Sequence, residues 1–191
     1  MQTQISFNSA YSTITRDLVT LCEYIDPCVS NKSTYSHRTY ELFLRTCTEL
    51  ENLWKYVLRN KKHPGPEKDW NIFQYREIEN KYGVGLSNKE VTFVYWKPDP
   101  YQCYVKPFDG WHTAQSPQSP LSWYKAYNEV KHDREMNFSK ASLENLILSI
   151  SALHVNLQAE FGNDVFSPQP IPSIFRVSGL ATYNHLFHVK P

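Results

Sequence analysis

Within Trp123–Glu135, WYKAYNEVKHDRE, three polar side chains of different chemistry recur at one-turn steps: Lys125, Asn128 and His132. At about 100° per residue they share one side of a helix with Glu129, and Trp123, Ala126, Tyr127 and Val130 share the other. An ammonium can stabilise charge on a phosphate, and an amide can orient it. An imidazole near neutral pH can give or take a proton. That set suits a metal-independent ribonuclease. His132 would assist attack of a ribose 2′-hydroxyl on the adjacent phosphate, and Asn128 and Lys125 would hold that phosphate. Lys131 and Arg134 add cations beside the stripe. The plainer reading is the polar side that any surface helix shows to water, and spacing does not separate the two.

A second polar stripe, Arg38, Glu41, Arg45 and Glu49, contains two i,i+4 pairs of opposite charge. It is expected to converge on the first stripe and form a polar cleft with it. As an ordinary ion-paired surface, each pair would contribute only ~0.3–0.5 kcal/mol. A third stretch, Val94–His112, interleaves aromatics with Lys97, Lys106 and His112. It could stack the bases of single-stranded RNA, or its rings could pack onto the body of the protein. The four cysteines, Cys22, Cys28, Cys47 and Cys103, form no C-x-x-C and read as small apolar residues. The close pair His185 and His188 lacks further ligands nearby, so no metal and no cofactor are expected. P-loop, G-x-G-x-x-G, G-x-S-x-G and H-E-x-x-H signatures are absent.

The elements that must position these residues are mostly helical. Ile14, Leu18, Leu21, Cys22 and Ile25 predict a first helix over about Tyr11–Ile25, closed by Pro27. Ser36 is the expected N-cap of a long second helix reaching Asn60. Its stripe of Phe43, Cys47, Leu50, Trp54, Val57 and Leu58 is widened by Leu42, Leu44 and Leu53. Asp69 is expected to cap a third helix through Trp70, Phe73 and Ile78 to about Tyr82. The period then changes. Glu90–Trp96 and Tyr101–Phe108 read as a β-hairpin outside the bundle, closed by KPDP, and Asp109–Pro120 as a loop. A fourth helix should run over Ser122–His132 and a fifth over Ser142–Phe161, ended by Gly162. The last 29 residues, with four prolines, are expected to wrap the outside.

The 191 residues suit one domain spanning 1–191, with a hairpin insertion near 90–108 and an extension over 163–191. The fold class expected is mainly α: an antiparallel bundle of four to five helices with one small hairpin and an irregular C-terminal tail. Twenty basic against nineteen acidic residues give a net charge of +1, which excludes an unpatterned polyanion binder. A hydrophobic fraction of 41% excludes a wholly disordered chain. The start, MQTQISFNSA, has neither a basic nor an apolar leader segment, and no run reaches the ~18 apolar residues of a membrane span. A cytoplasmic protein without membrane contact is the expectation.

The spacing around His132 resembles the HEPN superfamily of helical proteins. That family includes ribonucleases and accessory proteins of bacterial defence and toxin–antitoxin systems. Its motif is an Arg, often followed by Asn or another polar residue, with a His four to six residues on. Here Asn128 and His132 match the polar residue and the His, and Tyr127 stands where the Arg would most often be. Lys125 puts a cation at the far end of the permitted spacing. Thr34–Lys55 and Tyr127–Leu153, about a quarter of the chain, look like two blocks shared by uncharacterised bacterial proteins of this helical type. The resemblance implies an RNA or nucleotide ligand, a homodimer with its groove at the two-fold interface, and an antitoxin or defence partner. It leaves open a ribonuclease or a non-catalytic regulatory or protein-interaction module on the same bundle.

Overall fold

A computed structural model of the chain describes residues 2–81, 83–96, 104–116, 121–167 and 174–178. The architecture is mainly α with a small two-stranded antiparallel sheet. Among the described residues the helices are α1 (Gln2–Cys22), α2 (His37–Asn60), α3 (Ile72–Tyr75), α4 (Glu77–Asn80), α5 (Ser122–His132), α6 (Arg134–Asn137) and α7 (Leu143–Phe161). The strands are β1 (Glu90–Phe93) and β2 (Phe175–Ser178).

The centre is the seam between α2 and α7. Leu50, Trp54, Leu146, Ile150, Leu153 and Leu157 are all at most 1% exposed and belong to one apolar cluster, as their stripes require. Ser36 caps α2 reciprocally with Thr39: Thr39 N–H donates to Ser36 Oγ, and Ser36 N–H donates to Thr39 Oγ1 at 2.6 Å. Ser142 caps α7, whose free N–H groups are further satisfied by the Thr34 and Lys32 carbonyls, at 2.8 and 3.0 Å from Leu143 and Glu144. The loop ahead of α2 is therefore stitched to the start of α7. Gly162, at φ +75°, ends α7.

Three expectations change. α1 begins nine residues earlier than its apolar period, because Phe7 anchors the added turns against Tyr56 and Phe161, with ring centroids 5.7 and 5.9 Å apart. The third helix breaks into α3 and α4, and its cap is Asn71, not Asp69. Asn71 Oδ1 accepts from Phe73 N–H and Gln74 Oε1 accepts from Asn71 N–H, which starts α3 two residues late. Glu79 then fixes the following turn, its carboxylate accepting from the Leu86 and Ser87 N–H groups at 2.6 and 3.1 Å.

The strand at Glu90 is present, but its partner differs. β1 pairs with β2 in the register Val91 opposite Val177 and Phe93 opposite Phe175. The expected partner segment contributes one bridge, Val91 to Val105, with two backbone bonds of 2.8 Å; residues 101–103 lie outside the described residues. Pro107 has no N–H to extend that ladder. The sheet is packed on α7 with Val91 and Phe93 buried, rather than standing outside the bundle. Ile174 and Phe175 are also buried, so this part of the C-terminal extension joins the core. The stretch after Asp109 likewise hides a core residue. Trp111 is fully buried, its ring centroid 5.7 Å from Trp54 and 5.1 Å from Phe108.

Candidate functional site

α5 presents two polar surfaces with opposite fates. Trp123, Ala126, Tyr127 and Val130 face the core, as the helical wheel requires. On the outer side, Lys125, Asn128, Glu129 and His132 line one wall of a groove of about 530 Å³, together with Tyr124. The other wall is the start of α3: Asn71, Ile72 and Phe73. The sequence stripe is therefore one surface, and it lines a groove open to solvent.

The charges in this groove differ in their attachments. Glu129 is held by Lys140 at 2.9 Å. Asn128 Nδ2 donates to the Tyr124 carbonyl at 3.1 Å, which fixes the amide against its own helix. Among the described residues, the side chains of Lys125 and His132 have no hydrogen-bond or ion-pair partner, and both are exposed. Arg134 lies beyond the helix end with its guanidinium 5.9 Å from the Tyr40 ring centroid.

The expected convergence with the α2 stripe does not occur. Arg38, Glu41 and Arg45 line a different groove, of about 580 Å³, between α1 and α2, with Asp17, Thr20, Leu21, Tyr24 and Leu42. Arg45 forms an ion pair with Asp17. The two grooves share no residue. The reason is rotational: α2 spends its apolar arc on α7 and α5, which turns its charged edge toward α1.

What meets the inner side of α5 is Glu51, which the sequence pattern did not single out. Its carboxylate accepts from Tyr124 Oη at 2.8 Å and Tyr127 Oη at 3.3 Å, and Lys131 Nζ lies 3.9 Å away. Lys131 Nζ also donates to Tyr127 Oη at 3.3 Å. Burial first, then the Glu51 charge, pushes both phenols above their ordinary range. Burial alone would lower the Lys131 ammonium, but the Tyr127 hydroxyl and the Glu51 carboxylate outweigh it and hold it raised. Lys131, though exposed, is thus engaged with Tyr127 and Glu51 and does not line the groove. A signal for Glu51 did exist: it stands one position off the apolar stripe of α2, between Leu50 and Leu53.

The aromatic stretch divides in the same way. Phe108 and Trp111 are buried, and the backbone N–H of His112 donates to Ser87 Oγ. Lys106 is paired with Glu90 at 3.1 Å, and Lys97 lies outside the described residues. Cys47 is buried, with burial as the main cause of its raised thiol pKa, and Cys22 and Cys28 are half-buried free thiols. Cys103, His185 and His188 lie outside the described residues. Among the described residues no group of three metal-ligating side chains assembles, and no helix is long and apolar enough to cross a membrane.

No family model, no curated protein and no solved structure matches the chain.

Proposed function

We propose that this chain is a HEPN-like RNA-binding protein and that the α3/α5 groove is its phosphodiester site. The observation that carries the reading is the pair Lys125 and His132: exposed, without side-chain partners among the described residues, and on one wall of a cleft of about 530 Å³. That volume lies within the ~300–1,000 Å³ of small-ligand clefts. A cation left unpaired in a concave site is available to an anion without first breaking a salt bridge. Cleavage is the second reading, with His132 as the proton-transfer group. Two observations favour binding over cleavage. Tyr127, in the place of the motif Arg, points inward to Glu51, and one of the two Asn128 side-chain N–H groups is taken by the Tyr124 carbonyl. The resemblance extends the proposal to a homodimer and to a defence or toxin–antitoxin setting with a protein partner.

Fluorescence anisotropy of a labelled oligoribonucleotide tests the site. Lys125→Ala should weaken binding and lower the salt slope by about 0.7, the value for one single-strand phosphate contact. Binding that ignores both Lys125→Ala and His132→Ala would remove the proposal. Incubation of the same proteins with RNA in EDTA tests the second reading. Cleavage that persists in EDTA and disappears in His132→Ala would establish it.

A further inference from the structure

The wall opposite Lys125 and His132 carries a residue that neither the core nor phosphate binding uses. Phe73 is 54% exposed, although its neighbours Ile72 and Tyr75 are 3% and 1% exposed. The sequence pattern runs one longer helix through Trp70, Phe73 and Ile78, and in the structure Trp70 and Ile78 are buried while Phe73 is not. Local structure holds the ring in the cleft. Asn71 Oδ1 accepts the Phe73 N–H at 3.0 Å, and Gln74 Oε1 accepts the Asn71 N–H at 3.1 Å. Tyr75 packs against Trp54 with ring centroids 4.9 Å apart and planes tilted by 34°. Turning α3 to bury Phe73 would expose Ile72 and Tyr75, which are larger losses of buried area together.

We infer that Phe73 is a stacking platform for an unpaired nucleobase, so that the groove takes single-stranded rather than duplex RNA. This rests on the reading of the groove as an RNA site. Phenylalanine has no hydrogen-bonding group, so it offers a base only its π-face, and that contact tolerates any sequence. A base in a duplex has its faces covered by neighbours and cannot take that contact. The arrangement supplies the two things a single strand presents side by side. The Lys125 ammonium on α5 meets the phosphate, and an aromatic ring on α3 meets the base.

The test compares a labelled single-stranded oligoribonucleotide of mixed sequence with its duplex, against wild type, Phe73→Ala, Phe73→Trp and Lys125→Ala. Wild type should prefer the single strand. Phe73→Ala should lose roughly 5- to 150-fold in single-strand affinity, the range for one stacked base, with the duplex unchanged. Phe73→Trp should retain single-strand binding. Lys125→Ala should weaken both forms. If Phe73→Ala binds the single strand as wild type does while Lys125→Ala weakens both, the stacking inference falls and the phosphate site stands. If Lys125→Ala alters neither, the RNA reading itself fails and the inference falls with it.

Discussion

The inner and outer sides of α5 carry similar chemistry in opposite states. Inside, the Glu51 carboxylate is 18% exposed and is met by two tyrosine hydroxyls, with a lysine nearby. Every polar group there has its partner within the protein. Outside, Lys125 and His132 meet solvent in a cleft with none among the described residues. A satisfied polar cluster fixes how two helices pack. A hydrated cation with no protein partner adds little to the fold and stays free for a ligand. The same helix therefore serves the fold on one side and the proposed site on the other.

Disturbing the inner side should produce the larger effect on stability. Glu51→Ala strands two part-buried hydroxyls and the Lys131 ammonium, and should cost about 1–3 kcal/mol or more by denaturant melt. A loss below ~0.5 kcal/mol would show that water replaces the carboxylate readily.

A second buried carboxylate sharpens the contrast because it is only partly met by donors. Glu160 on α7 is 6% exposed, and one of its oxygens, Oε2, has no partner. Burial raises its carboxyl to about 7, against the lowering effects of Asn60 and Lys61. The folded state then holds a proton that the unfolded state has released, so stability from this group falls as pH rises from about 4.5 to about 7. Glu160→Gln should be more stable than wild type at pH 8, by up to about 3 kcal/mol, with the difference vanishing toward pH 4. His154 has the opposite sign. Burial lowers it to about 3, so its contribution is lost as pH falls from about 6.5. The difference between Glu160→Gln and wild type cancels the histidine and isolates the glutamate. The outer stripe should give the smallest effect: Lys125→Ala and His132→Ala should each stay within about 0.5 kcal/mol of wild-type stability.

How far the sequence shows this arrangement depends on whether a feature is local. α5 and α7 match their patterns closely because the apolar period of each lies within its own segment, and α7 also carries its cap, Ser142, and its terminator, Gly162. The Lys125, Asn128 and His132 stripe is legible for the same reason. Partners are not local. β1 is visible as a β-branched run, but nothing in that run encodes pairing with Phe175–Ser178 more than eighty residues later. The far wall of the groove is hidden too. Phe73 looks like a core residue until Asn71 caps α3 and rotates the ring outward. Glu51 sits among leucines, and only the approach of Tyr124 and Tyr127 from α5 explains a carboxylate there.

The central claim is that the α3/α5 groove, and not the α1/α2 groove, is the ligand site. An amide chemical-shift map on titration with a single-stranded oligoribonucleotide tests it most directly. The account predicts shifts concentrated at Asn71–Phe73 and at Lys125, Asn128 and His132, with Arg38, Glu41 and Arg45 unmoved. Shifts centred on Arg38–Arg45, or none at α5 under saturating RNA, would contradict it.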